Sequence, residues 1–307
     1  MIEDVTMLLS NTLMAMTPIL LAALGEILTE KSGVVNIGLE GIMLLSGLLA
    51  TIATFVTGDP YLGALAGVAT GALSGVLHGL VGVYLRGDQI IVGVGFNSVA
   101  MGLSVMIMLS LWGSYSNSPP VAKIPSLIIR IGENAHLTIY PISVLALVTA
   151  VASWFLLEKT RWGLKLKACG EDPRAVEAMG VNVLLTRFLA TVIGGSLAGL
   201  GGAYMVVGWT GSYNRGMSAG RGFIALANVA FSNWNPMLAI VGALVFGFFD
   251  ALKTYLPLKL QLTTGGVVTA ESYLFFTLPY LATLVVVTVM SRRVRPPRAL
   301  GKPYVKE

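Results

Sequence analysis

Apolar residues in this chain fall in long runs separated by short polar links. Runs at 10–29, 34–57, 61–85, 90–112, 138–157, 188–207, 238–256 and 272–290 reach about the 20 residues that a helix needs to cross a bilayer core. The links are turn-like, as in Thr57-Gly-Asp-Pro60 and Arg86-Gly-Asp-Gln89. A longer link, 113–137, carries Pro119, Pro120 and Pro125 and is expected to pack on the outer face. A ninth run near 219–232 is short and broken by Arg221 and Asn228. The longest polar interruption, 158–187, holds Lys159, Arg161, Lys165, Lys167, Arg174 and Arg187. Within it Asp172 suits an N-cap, Pro173 the first helical position and Gly180 a left-handed stop, which predicts one short helix over 173–179.

The basic residues orient the pattern. By the positive-inside rule the 158–187 loop and the tail Ser291-Arg-Arg-Val-Arg-Pro-Pro-Arg298 both face the cytoplasm. An even number of crossings must then separate them. Only three strong runs lie between, so the weak run must supply the fourth. A polar segment at that depth is tolerated only where protein covers it or it lines a cavity. Counting back places the N-terminus outside, and its first ten residues contain no Lys or Arg. The expectation is an all-α polytopic bundle of about nine crossings, N-out and C-in, forming a single transmembrane domain over 1–307. Lys123, Arg130 and Lys259 fall outside, against the rule.

Composition agrees with a membrane protein. The chain is 55% hydrophobic and 11% charged, against about 25% charged in soluble domains. Its mean hydropathy is +0.79. The net charge of +5 sits largely in two segments flanking runs, which argues for lipid contact and not for nucleic acid. The start Met-Ile-Glu-Asp lacks a basic n-region, so no cleavable signal peptide is expected. The single cysteine, Cys169, excludes a disulfide within the chain. It also serves as a topology probe, expected to react with an impermeant thiol reagent only after the cell is opened.

Glycines at 63, 67, 71, 75 and 79 recur every four residues on the third run, and Gly195 and Gly199 repeat the spacing. This predicts close helix packing. Polar residues inside runs are the candidate functional positions, because burial there is expensive. They are Asn36, Glu40, His78, Asn97, Arg221, Asn228 and Asp250. Phe96, Asn97, Phe223 and Asn228 together would suit a lining that stacks on, and hydrogen-bonds, a small polar ring. Glu40 reads equally as a helix-end cap. His78 reads as a packing residue, and Asp250 with Lys253 as an ion pair on one helix face.

No Gly-x-x-x-x-Gly-Lys-Ser/Thr loop is present, so nucleotide phosphates are not bound by that device. The runs also lack the ladder of deep charges expected of an ion-coupled carrier. Gly216-Met-Ser-Ala-Gly220 matches the nucleophile-elbow pattern, which leaves an intramembrane serine hydrolase using Ser218 with His78 or His136 as a remote alternative.

The segment Glu30-Lys-Ser-Gly-Val-Val-Asn-Ile-Gly-Leu-Glu-Gly-Ile-Met-Leu-Leu-Ser-Gly47 resembles the N-terminal signature of permease subunits of ABC importers for nucleosides and simple sugars. The loop from Thr160 to Val181 resembles that family's coupling loop, and Gly195–Tyr204 with Gly220–Ala227 also match. The wider family includes ribose and branched-chain amino-acid permeases. Its members often have ten spans, so nine implies one N-terminal helix fewer.

The resemblance implies a type II importer fold in a bacterial inner membrane, with no reaction in this chain. ATP and Mg would sit on a separate cytoplasmic ATPase. Glu171, Asp172, Pro173, Arg174, Ala175, Glu177 and Gly180 would form the coupling element seated in that ATPase. An extracytoplasmic solute-binding protein would deliver substrate, and a second, related permease would complete a heterodimer. Asn36, Glu40, Phe96, Asn97, Phe223 and Asn228 are the expected substrate-pathway residues. Nucleosides are the expected substrate and simple sugars the alternative. A stand-alone carrier or channel is the reading that needs no ATPase.

Overall fold

A computed structural model of the chain describes residues 2–131, 136–260, 263–264, 267–268, 273–290 and 294–305. In chain order the elements are α1 (Ile2–Lys31), α2 (Leu39–Thr57), α3 (Pro60–Gly79), α4 (Gln89–Trp112), β1 (Leu127–Arg130), β2 (His136–Ile139), α5 (Pro141–Lys159), α6 (Arg161–Glu171), α7 (Pro173–Ala178), α8 (Val183–Tyr204), α9 (Arg221–Phe231), α10 (Pro236–Lys259), β3 (Thr263–Thr264), β4 (Val267–Val268), α11 (Tyr273–Phe276) and α12 (Leu278–Met290). Helix α3 runs on as a π-helical turn, Leu80–Tyr84, and α8 as another, Met205–Thr210. Among the described residues, seven helices are long and apolar enough to cross a membrane, and two shorter apolar helices accompany them. The protein is an all-α polytopic membrane bundle.

Side-chain bonds fix which elements share an end. Thr138 N donates to Ser10 Oγ at 3.0 Å and Lys259 pairs with Asp4 at 2.8 Å. The N-terminus, the β1–β2 hairpin and the end of α10 therefore lie together, at what we call the hairpin end. Ala299 N donates to Gly170 O, Arg295 N to Asn233 Oδ1 and Trp234 Nε1 to Glu30 Oε2. The end of α1, the α6–α7 unit, the end of α9 and the C-terminal residues thus share the opposite, loop end.

The core is α8 wrapped by α1, α2 and α3. The glycine comb on α3 meets the glycines of α8: a Cβ on Gly71 would collide with the backbone of Gly195 and Gly199, and one on Gly75 with that of Thr191. Gly25 of α1 meets Gly194 the same way. Backbone-to-backbone crossing is what small residues permit in lipid, where apolar side chains gain little from leaving the solvent.

Several boundaries differ from those expected. Helix α2 begins at Leu39 and not at 34, because residues 34–36 are irregular and 37–38 form a turn. The 158–187 loop holds two helices and not one: α6 precedes α7, with Thr160 Oγ1 accepting from Gly163 N at 3.1 Å as its cap. The 113–137 link forms half of a hairpin, with Leu127 opposite Ile139, and its earlier part pairs with the start of the loop that follows the π-helical turn of α8 through Ser118 N to Tyr213 O and Val121 N to Gly211 O. Ser291, Arg292 and Arg293 of the basic tail lie outside the described residues, as do 271 and 272 near the start of the last apolar run.

Candidate functional site

Two non-helical segments enter the bundle from opposite ends and meet inside it. The first is 33–38. Gly202 of α8 packs on the backbone of Met43, and it lies 15 residues along α8 from Arg187, which packs on Gly33. At 1.5 Å per residue that is about 22 Å. The chain thus climbs from the loop end to beyond the middle of a ~30 Å core before α2 is well under way.

Polar side chains replace the helical hydrogen bonds that this stretch gives up. Glu26 Oε1 accepts from Asn36 N at 2.7 Å, and Gln89 Oε1 from Val35 N at 2.8 Å. His78 Nε2 donates to Val35 O at 2.9 Å. Asn36 Oδ1 accepts from Gly38 N. Asn97 bridges the start of α2: its Oδ1 accepts from Gly41 N at 2.7 Å and its Nδ2 donates to Ile37 O at 3.0 Å. Irregular backbone inside a membrane needs such satisfaction.

The second segment is 211–220, which descends from the hairpin end to the start of α9. There the Glu40 carboxylate receives three donors. Ser218 Oγ donates to Oε1 at 2.5 Å, Gly220 N to the same oxygen at 2.8 Å, and Gly222 N to Oε2 at 2.8 Å. Glu40 therefore caps α9 from another helix, placing an anion where the orphan N–H groups and the helix dipole favour it. A Cβ on Gly222 would strike the Glu40 backbone, so this close approach requires glycine.

The expected weak crossing is therefore a descending loop plus an 11-residue helix, not one short membrane helix. Beside it Arg221, buried, donates to Asp250 Oδ2 at 2.6 Å, and Lys253 pairs with the other oxygen. The Arg221 guanidinium lies 4.8 Å from the centre of the Trp209 ring. The Asp250–Lys253 pair expected from the sequence thus has Arg221 as a third member. With Glu40, two anions and two cations neutralise this zone.

The expected ring lining is not assembled as such. Asn97 has its polar atoms committed to backbone, and Glu40 to backbone and the Ser218 hydroxyl. Asn228 is fully buried apart from them, donating to Ala239 O at 3.0 Å and facing Gly242. Phe96 packs against the core, while Phe223 is half exposed. Ser218 bonds Glu40, His78 bonds Val35 O, and His136 sits on β2 at the hairpin end. Among the described residues no histidine bonds Ser218, which removes the geometry that a serine hydrolase needs.

Sequence reasoning missed Glu26 and Glu30, buried on α1. Glu30 Oε2 accepts from Trp234 Nε1 at 2.5 Å and so ties the end of α9 to α1. An acid inside an apolar run was the available signal.

A cavity of about 520 Å³ opens beside the descending loop, lined by Leu44, Met101, Gly102, Ser104, Val105, Arg215 and Gly216. That volume lies in the range of small-molecule sites. At the loop end, Asp172 Oδ1 caps α7 by accepting from Ala175 N at 3.1 Å, with Pro173 first in the helix. Gly180 stops it with φ +80°. Glu171, Asp172, Arg174 and Ala175 are exposed and Glu177 is half-buried. Cys169 is wholly buried, so the expected reaction with an impermeant reagent is blocked from both sides. Burial also lifts its thiol above the ordinary 9.0, against the pull of the Arg187 charge.

These features define a polytopic membrane protein that displays a folded loop at one end and encloses a polar seam. The chain belongs to the family of permease components of branched-chain amino acid transport systems, whose profile matches residues 8–290. It is 33% identical to the guanosine ABC transporter permease protein NupQ of Bacillus subtilis, over 99% of this chain and 98% of the relative. It is 31% identical to the nucleoside ABC transporter permease protein NupC of Lactococcus lactis, with the same coverage. It is 33% identical to the putative glucose ABC transporter permease protein TsgC13 of Haloferax volcanii, over 98% of each chain. No solved structure gives a significant match.

Proposed function

We propose that this chain is the membrane-spanning permease subunit of an ATP-driven importer for nucleosides. The observation that carries the reading is the likeness, over nearly the whole chain, to permeases named for guanosine and nucleoside transport. The loop end faces the cytoplasm, where α7 seats in a separate ATPase that holds ATP and Mg. The hairpin end faces a solute-binding protein. A second, related permease closes the pathway, and the cavity beside Arg215 and Met101 forms this chain's share of it. Phe223 borders that pathway, while Asn36, Glu40 and Asn97 shape it from behind. The glucose-type relative supports a sugar as the second substrate reading.

The test is to tag the chain, extract it gently and identify what travels with it, then to measure radiolabelled nucleoside uptake with unlabelled nucleosides and hexoses as competitors. A P-loop ATPase, a related permease and nucleoside-competed uptake are expected. A chain that purifies alone and transports without ATP would replace the importer by a stand-alone carrier. Competition by hexose only would replace the substrate.

A further inference from the structure

Residues 294–305 do not trail away from the bundle. Ala299 N donates to Gly170 O at 2.8 Å, at the end of α6. Gly301 N donates to Gly33 O at 3.1 Å, at the foot of the climbing segment. The buried Arg187 guanidinium joins the same junction: one nitrogen donates to Lys302 O at 2.9 Å, the other to Cys169 O at 3.1 Å. Arginine's planar fork reaches two carbonyls at once, which an ammonium on a flexible stem does not reproduce. Gly33 presses on that guanidinium with φ +98°, so a side chain there would meet both a clash and strain.

The other end of this stretch holds α7. Tyr304 Oη donates to Glu177 Oε2. Tyr304, Cys169, Val176 and Val183 form a small apolar cluster separate from the main core. Helix α7 has six residues and buries only Val176. Its seating therefore rests on Cys169 of α6, Val183 of α8 and Tyr304 of the C-terminal stretch.

Building on the importer reading, we propose that residues 294–305 are a strap that transmits movement of α7 to segment 33–38, with Arg187 as the positioning residue at the junction. A push on α7 is carried through Tyr304 and the 299–302 backbone to Gly33. From there it passes along the polar-held 34–38 stretch to Glu40, and so to the 218–222 backbone beside the cavity. Each link is a hydrogen bond or a backbone contact described above.

The test compares the wild-type complex with a chain truncated before Ala299 and with Arg187→Lys and Tyr304→Ala. Readouts are ATPase co-purification and nucleoside moved per ATP hydrolysed. The truncated chain should keep its ATPase while the transport ratio falls by a factor within about 5–150, the usual span of site-to-site coupling. Each point variant should show a smaller fall of the same kind. A wild-type ratio in the truncated chain overturns the strap. Loss of the ATPase on truncation also overturns it, by making the tail a docking element. If the truncated chain fails to accumulate, wild-type ratios in both point variants overturn it. Absence of an ATPase from the wild-type chain would instead sink the importer reading beneath it.

Discussion

Replacing Glu40 by Gln tests the seam most directly. The carboxylate accepts three hydrogen bonds, from Ser218 Oγ, Gly220 N and Gly222 N. Bonds to a charged acceptor contribute about 1.5–3 kcal/mol each. A glutamine keeps one acceptor oxygen. If it takes the place of Oε1, the Ser218 and Gly220 bonds survive as neutral ones, about half as strong. The amide NH2 then points at the Gly222 N–H, donor against donor. One charged bond is lost and two are weakened, an effect of roughly 3–6 kcal/mol. Relief of the cost of burying a charge offsets part of this, leaving about 2–4 kcal/mol. That is a large share of the ~5–15 kcal/mol by which folded domains are stable. Ser218→Ala removes one donor and leaves two, so it should cost about 1.5–3 kcal/mol. Thermal unfolding of the purified chain in mild detergent should rank wild type above Ser218→Ala above Glu40→Gln, with uptake following the same order. Wild-type unfolding and uptake in Glu40→Gln would refute the cap. A greater loss in Ser218→Ala than in Glu40→Gln would show that the hydroxyl acts elsewhere.

Removing Asp250 leaves the buried Arg221 unpaired and should cost about 3–5 kcal/mol, removing Arg221 leaves Asp250 with Lys253 alone and should cost less, and the double change Arg221→Ala with Asp250→Ala should cost clearly less than the sum; additive losses in a thermal-unfolding cycle would contradict the pairing. Gly71→Leu drives a side chain into the backbone of Gly195 and Gly199, so the membrane fraction should hold little folded protein, while Gly58→Ala, with open space beside it, should lose only about 1–2 kcal/mol for its positive φ; equal yields would dismiss the packing argument. Gly180→Pro removes the N–H that bonds Glu177 O and imposes φ near −65° where the chain has +80°, so ATP-driven uptake should collapse while the bundle stays in the membrane, and normal uptake would free α7 from that role. Cys169 should resist maleimide from either side in the folded chain and react on unfolding. Fast labelling of the folded chain would show it exposed.

The parts of the fold that were legible in the sequence are those that obey local rules. Seven long apolar runs became helices, and the Asp172-Pro173 start and Gly180 stop of α7 fell where capping chemistry put them. Glycines spaced by four announced the α3–α8 crossing. What was hidden depends on contacts between distant positions. Nothing near residue 34 signals a non-helical segment, because the groups that hold it, Glu26, His78, Gln89 and Asn97, belong to three other helices. Glu40 and Asn97 are legible as costly polar positions, but apart from the Ser218 hydroxyl on Glu40 their partners are backbone groups that no pattern of side chains reveals. The same holds for α6, whose amphipathic turn was concealed by its position inside a basic loop.

The two kinds of contact divide the bundle into parts with different capacity to move. Where α1 and α3 meet α8, backbones touch through glycine, and any sliding brings atoms into overlap within a fraction of an ångström. Close packing of that kind has few alternative arrangements. The seam is different. Segment 33–38 and residues 211–222 are held by hydrogen bonds from side chains with rotatable stems: Gln89, Asn97, Asn36, Glu26 and Glu40. Such groups can exchange one backbone partner for the next along an irregular segment without opening a void. The Arg221–Asp250–Lys253 network and Glu40 keep the zone neutral, so displacement by one residue need not leave a net charge in the membrane. A machine that must open to each side in turn needs a stiff frame and a seam whose bonds can be exchanged. Here α1, α3 and α8 supply the frame, and the two entering segments, joined at Glu40, supply the seam.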